Sequence, residues 1–169
     1  IASSLVGSEM CIRDSRYSAS ASEIFAGAIQ DYQRGIIIGQ KTFGKGTVQK
    51  LDNLSSGQIK ITESKFYRIT GAGMQSKGIH PDITLPSTWD IEEIGESSYD
   101  TALQWDEIKP VRFKKFSMGP TLISKLNDEH LTRVDQSPNL QYILDIRKRY
   151  EIQKNKEVIM DWFGHQLQG

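Results

Sequence analysis

Residues 20–38 constrain the fold most, because a helix signal in this stretch leads directly into a buried-strand signal. Ser20 and Glu23 have the spacing of a capping box, in which each residue satisfies a backbone N–H of the other. Gly35 ends the helix predicted over 20–33, and the apolar run at 36–38 is typical of a buried strand. Apolar residues form one stripe along this predicted helix: Ile24, Phe25, Ala28, Ile29 and Tyr32. Helix followed by buried strand predicts an α/β fold.

Further along the chain, extended segments give way to helices. Residues 47–48 and 58–69 are predicted to be extended, with a turn at 55–57 between them. From about residue 86 the chain becomes acidic and polar, which we interpret as a linker. Pro120 then opens one helix, and the pair Ser137-Pro138 caps and opens another.

Charge and residue counts argue against several kinds of site. The 169 residues contain 21 basic and 21 acidic side chains, so the formal net charge of zero gives no support to a nucleic-acid partner. Cys11 is the single cysteine, which excludes an internal disulfide, and the three histidines have no metal-ligand spacing. No cofactor and no metal is therefore predicted.

A serine and a lysine stand where they could form a nucleophile and base pair. Ser20 lies at the mouth of the predicted helix, where the N–H of Ala21 is a natural donor to an oxyanion. Lys45 lies between Gly44 and Gly46, whose small size allows close backbone packing. A serine hydroxyl needs a base to take its proton, and lysine serves as that base only when neutral, which burial favours.

Other interpretations of these two motifs stay open on spacing alone. Ser20 also suits a purely structural helix cap, and a lysine among glycines is more often a phosphate ligand or a surface residue. Residues 39–46 nearly match a phosphate-binding loop, but Gly46 stands where that loop needs a hydroxyl for Mg²⁺, and an extended segment follows instead of a helix.

Resemblance to a known family favours the catalytic interpretation. The motifs that carry this resemblance are Tyr17-Ser18-Ala19-Ser20-Ala21-Ser22-Glu23-Ile24-Phe25, Gln30-Asp31-Tyr32, Thr42-Phe43-Gly44-Lys45-Gly46-Thr47-Val48-Gln49, Lys65-Phe66-Tyr67-Arg68, the run 75–86 and the run 100–106. Through these motifs, roughly residues 16–155 resemble the tail-specific proteases, also called C-terminal processing proteases.

The resemblance implies roles for individual residues. Ser20 matches the family's nucleophile, Lys45 its general base, and Gln49 a glutamine that orients the base. Asp31 falls where the bacterial tail-specific branch has an aspartate, and its role is not fixed. The family are hydrolases that cut peptide bonds near protein C-termini, often at apolar tails, without metal or nucleotide.

The resemblance also implies an organisation of the chain. Residues 16–88 match the C-terminal half of a mixed-sheet peptidase core, similar to the ClpP and crotonase folds. Residues 89–106 are expected to form a linker, and residues 107–169 a helical C-terminal extension of the proteobacterial type. The full-length protein is expected to carry a PDZ domain, to act in the periplasm or at the periplasmic face of the inner membrane, and to use an adaptor protein.

The first fifteen residues read differently from the rest. The chain begins with Ile1, and residues 5–14 resemble a translated sequencing-adapter read-through. We expect residues 1–15 to be a non-native leader that replaces a native strand, and the chain to be a fragment that is inactive alone.

The alternative function is a non-catalytic interaction module built on the helical region.

Overall fold

The computed structural model describes residues 11–88, 94–116 and 120–154. Five strands and three α-helices lie in these residues, with one short 3₁₀ helix, Glu96–Ser98. In chain order they are β1 (Cys11–Asp14), α1 (Ala21–Asp31), β2 (Ile36–Gly39), β3 (Thr47–Asn53), β4 (Gln58–Lys65), β5 (Ile83–Thr84), α2 (Pro120–Gln136) and α3 (Pro138–Lys154). An α/β part followed by a helical part confirms the predicted fold class.

The first sheet is parallel and has the strand order β1-β2-β5. Helix α1 connects β1 to β2, as parallel strands require a crossover. Its inward face meets a small core of Ala26, Ile37, Met74 and Ile79, which are at most 2% exposed. The predicted helix and buried strand are both confirmed, and Ser20 lies immediately before α1 as its N-cap.

Strands β3 and β4 form a separate antiparallel hairpin. The turn between them includes Gly57, whose φ of 90° suits glycine, and Leu54 N–H donates to the Gly57 carbonyl oxygen at 3.0 Å. Val48 pairs with Ser64 and Gln49 with Thr62, so Glu63 is the extra residue of a bulge in β4. The hairpin begins directly after the Lys45 loop.

The segment after residue 94 lies against the core, which corrects the expectation of a linker there. Gly73 N–H donates to the Asp106 carbonyl oxygen at 3.0 Å, and Trp105 Nε1 donates to the Gly73 carbonyl oxygen at 2.8 Å. The Asp106 carboxylate accepts from Lys65 Nζ and the Tyr67 hydroxyl, both at 3.0 Å, and these bonds hold the pKa of Asp106 below its usual value. Polar composition indicated solvent exposure but not these specific partners.

The C-terminal helices begin where the two prolines predict. In α2, Val134 and His130 are buried, and His130 Nε2 lies 3.1 Å from the carbonyl oxygen of Thr84 in β5. Residues 107–116 are not helical, so the helical region begins later than the expected residue 107. The backbone of residues 107–116 bonds to the segment after β4, since Ile108 N–H donates to the Gly71 carbonyl oxygen at 2.8 Å.

Parts of several predictions lie outside the described residues: 1–10 of the expected leader, 89–93 of the expected linker and 155–169 of the expected extension. The described end of the leader forms β1, which pairs with β2 from Cys11 opposite Ile36 to Asp14 opposite Gly39. Residues 11–14 thus occupy a strand position beside β2, and the expectation that they stand in place of a native strand stays a prediction. The origin of residues 1–15 stays a prediction.

Candidate active site

Ser20 occupies a sharp turn between β1 and α1. Its φ of 57° and ψ of −116° belong to a region that favours glycine and that other residues occupy only when their surroundings hold them there. Such a turn between strand and helix presents a serine hydroxyl at a sheet edge. The Glu23 N–H donates to the Ser20 carbonyl oxygen at 2.9 Å, within the capping box that Ser20 and Glu23 form. Ser20 is partly exposed and accessible.

The Lys45 loop packs backbone against backbone on the segment at Gln75. A side chain at Gly46 would bring its Cβ within 2.5 Å of the Gln75 backbone nitrogen, and one at Gly44 would come within 3.0 Å of the Ser76 carbonyl carbon. The Gly44 carbonyl oxygen accepts from Ser76 N–H at 2.8 Å. Both glycines are therefore required for the close approach, as the sequence predicted, and Lys45 is partly buried between them.

A single buried carboxylate joins the serine turn to the lysine loop. Glu23 is 0% exposed, and its Oε2 accepts from Ser20 N–H at 2.8 Å and from Lys45 N–H at 2.9 Å. Its Oε1 accepts from Gly44 N–H at 2.7 Å and from the Thr42 hydroxyl. The backbones of Ser20 and Lys45 are thus fixed to one side chain, which holds the two predicted catalytic residues in a defined relation.

The side chains of Ser20 and Lys45 are not hydrogen-bonded to each other in the described part of the chain. Catalytic hydrogen bonds are often long or poorly aligned without substrate and shorten in the substrate complex. Ala21 begins α1, where the N–H groups of the first turn lack acceptors within the helix. Its role as a donor to an oxyanion stays a prediction.

Gln49 lies in β3 opposite the bulge of β4 and lines a cavity of about 210 Å³. Gln75, Glu96 and Tyr99 are among the other residues that line this cavity. Gln49 follows Lys45 by four residues in the chain. Its interaction with the Lys45 amine stays a prediction.

Asp31 lies at the opposite end of α1 from Ser20, about 16 Å away at 1.5 Å per residue. Its carboxylate accepts from Arg68 Nε at 3.0 Å and from Arg68 Nη2 in a bidentate ion pair. Only 5% of its side chain is exposed. The structure does not bring Asp31 together with the serine and lysine; it fixes the end of α1 to the segment after β4.

Two family models match this chain. Residues 11–85 match the model of peptidase family S41, and residues 89–160 match the C-terminal domain of tail-specific proteases. The chain is 45% identical to the tail-specific protease of Haemophilus influenzae over 135 residues, which are 73% of this chain and 19% of that protein.

The chain belongs to the tail-specific proteases of peptidase family S41.

Shorter similarities extend to other members of the family. The carboxy-terminal-processing protease of Bartonella bacilliformis is 48% identical over 69 residues, which are 40% of this chain and 16% of that protein. Among solved structures, the photosystem II D1 C-terminal processing protease matches with a TM-score of 0.43 and 37% identity, over 46% of this chain and 20% of that one. The chain spans about a fifth of the length of these relatives. The curated relatives, which are named as proteases, do not favour the alternative of a non-catalytic interaction module.

Two cationic side chains, Arg16 and Lys41, lie close together where the chain leaves β2. Arg16 Nη1 donates to the carbonyl oxygens of Lys41 and Thr42 at 3.3 and 3.4 Å. Burial and the nearby Arg16 charge lower the pKa of Lys41. Burial and then Lys41 lower the pKa of His80. The loop that carries Lys45 thus leaves the sheet through a cationic environment.

Within residues 11–88, 94–116 and 120–154, no group of three His, Cys, Asp or Glu side chains could hold a metal ion. No helix in the same residues has the length and hydropathy of a membrane span.

The principal residue that the sequence did not reveal is Glu23. Its spacing from Ser20 predicted only the capping box, and that role is present, since Ser20 N–H donates to it. The contacts with Gly44 and Lys45 cross more than twenty residues of chain. Full burial of a capping glutamate would indicate that it has such distant partners. Burial of a single polar residue, however, cannot be recognised from the sequence.

Proposed function

We propose that this chain supplies the nucleophile and the base of a serine endopeptidase, with Ser20 as nucleophile and Lys45 as base. The observation that carries the proposal is the Glu23 carboxylate, which binds the backbone N–H groups of both residues. The strained turn at Ser20 and membership of a peptidase family support it further.

The reaction follows from the chemistry of the two side chains. The neutral amine of Lys45 takes the proton of the Ser20 hydroxyl as its oxygen attacks the substrate carbonyl carbon. The negative charge on the carbonyl oxygen lies near the Ala21 N–H and the start of α1. The Lys45 ammonium then protonates the leaving amine as the C–N bond breaks. Water then attacks the carbonyl carbon of the acyl-enzyme as the Lys45 amine takes its proton. The Lys45 ammonium returns that proton to the Ser20 oxygen as the ester bond breaks.

The neutral state of Lys45 requires a site from which water is excluded. Bound substrate covers the partly buried lysine and removes water from its amine, which favours the uncharged form. We assign Gln49 the role of orienting that amine. Asp31 acts indirectly in this proposal, by fixing α1 through Arg68.

The substrates and setting that we propose come from family membership. They are proteins with apolar C-terminal tails, cleaved in the periplasm or at the periplasmic face of the inner membrane, by a protease that carries a PDZ domain and receives substrates from an adaptor.

The test is hydrolysis of a fluorescence-quenched peptide with an apolar C-terminus by the full-length protein that contains this sequence. We expect Ser20→Ala and Lys45→Ala each to lower kcat by on the order of 10³-fold or more, because nucleophile and base act as a unit. Ser64→Ala and Lys60→Ala, which change exposed residues of β4, are the matched controls. Cleavage by either catalytic variant at the rate of its control would overturn the proposal.

A further inference from the structure

The second side of the lysine loop is held by a buried glutamine. Gln75 is 1% exposed, and its Oε1 accepts from Gly46 N–H at 2.9 Å. Because a backbone N–H only donates, the atom of the Gln75 amide that faces Gly46 must be the oxygen. The amide nitrogen therefore points the other way and needs an acceptor.

That acceptor comes from the segment that precedes the C-terminal helices. Gln75 Nε2 donates to Glu96 Oε1 at 3.1 Å. Glu96 lies within residues 89–160, the part that matches the tail-specific protease C-terminal domain, whereas Gln75 and Gly46 lie within the peptidase match. A hydrogen-bonded series thus runs from the C-terminal region, through Gln75, to the residue next to Lys45.

The backbone of Glu96 is itself fixed to the same loop. Its N–H donates to the Phe43 carbonyl oxygen at 2.8 Å, two residues before Lys45. The Tyr99 ring packs on Phe43 with 6.4 Å between ring centroids. The 3₁₀ helix at Glu96 therefore contacts the loop on one side of Lys45 through its backbone and on the other side through Gln75.

We propose that Glu96 is a positioning residue for Lys45, and that it acts by holding the Gln75 amide in the one orientation that accepts from Gly46. The proposal rests on the proposed function, in which Lys45 is the base. A carboxylate at residue 96 accepts and never donates, so it excludes the flipped amide. The C-terminal region thereby forms part of the arrangement that holds the base.

Removal of the Glu96 carboxylate should lower kcat. In the full-length protein, Glu96→Ala lets the Gln75 amide turn and the lysine loop shift, and we expect kcat to fall about 10- to 100-fold with KM changed less than about two-fold. Glu96→Gln still presents an amide oxygen to Gln75 and should keep most of the activity. Glu63→Ala, which removes an exposed glutamate of β4, is the matched control.

A reversed hydrogen bond gives the decisive variant. Gln75→Glu keeps an acceptor for Gly46 but places two carboxylates against each other, so kcat should fall. Adding Glu96→Gln restores a donor and acceptor pair with the opposite direction, and we expect the double variant to regain at least about half of the wild-type kcat. A double variant no more active than Gln75→Glu alone, for any cause including misfolding, overturns the proposal.

The split between kcat and KM, together with the activity of Glu96→Gln, separates positioning from structural support. A wild-type kcat in Glu96→Ala refutes the role of Glu96, provided that Ser20→Ala is inactive in the same assay. If Ser20→Ala is fully active, the proposed function itself has failed.

Discussion

Substitution of Glu23 by glutamine removes one acceptor from a carboxylate that serves four donors while changing its shape very little. If the new amide nitrogen replaces Oε2, the N–H groups of Ser20 and Lys45 lose their acceptor. If it replaces Oε1, Gly44 N–H loses its acceptor, and the Thr42 hydroxyl must turn to accept. The second arrangement is less disruptive, because it leaves one backbone N–H without an acceptor instead of two. Thr42 Oγ1 then accepts from the new amide as well as from Ile79 N–H, which lies at 2.7 Å.

The expected loss in free energy of unfolding follows from the less disruptive arrangement. At least one buried N–H is left unsatisfied, which costs about 1–3 kcal/mol, and the remaining bonds lose the strengthening that the charge gave them. Removing the buried charge saves some desolvation, but the backbone donors remain in place. We expect Glu23→Gln to lower the free energy of unfolding by about 2–4 kcal/mol.

Urea unfolding followed by far-UV circular dichroism measures this loss, with Glu63→Gln on exposed β4 as the matched control. Peptide hydrolysis by the folded fraction should fall as well, because the serine turn and the lysine loop are no longer tied together. A free energy of unfolding within about 0.5 kcal/mol of the control, the range of ordinary surface substitutions, would refute the role assigned to the carboxylate.

Three further predictions concern the surroundings of the site. Asp31→Ala should lower the free energy of unfolding by about 2–3 kcal/mol, less than for a fully buried ion pair because Arg68 is 19% exposed, and an unchanged urea midpoint would contradict this. Gly46→Ala should cost about 1–3 kcal/mol in the same assay, because its Cβ would overlap the Gln75 backbone, and wild-type stability would show that the loop shifts freely. Burial and the Lys41 charge lower the pKa of His80 in the folded protein. Between that pKa and 6.5 the unfolded chain therefore binds more protons than the folded one, so the free energy of unfolding should rise with pH across this range. NMR titration should place the His80 midpoint below 6.5, and His80→Gln should remove that dependence; a midpoint above 6.5 reverses the sign.

Local signals were sufficient to predict the elements that carry the serine. The capping pair, the apolar stripe and Gly35 predicted α1, and the apolar run at 36–38 predicted β2, because each signal acts within a few residues of its own position. The prolines at 120 and 138 predicted the starts of α2 and α3 for the same reason.

Contacts between distant segments were not predictable in this way. Glu23 was recognised as a capping residue, but its bond to Lys45 depends on how the loop after β2 folds back. The acidic stretch near Glu96 was interpreted as a linker, although Glu96 and Asp106 have specific partners on the core. Composition records that a segment is polar, whereas the fold decides whether its polar groups meet solvent or other residues.

Chemical labelling of the serine tests the central claim most directly. We expect a fluorophosphonate, which phosphonylates activated serines with loss of fluoride, to modify the full-length protein at Ser20 and not at Ser22, as read by peptide mass spectrometry. Lys45→Ala should slow that labelling by on the order of 10³-fold, while Lys60→Ala leaves the rate unchanged. Labelling of Ser20 at equal rates in both lysine variants, or no labelling of Ser20 in the active protein, would contradict a serine activated by Lys45.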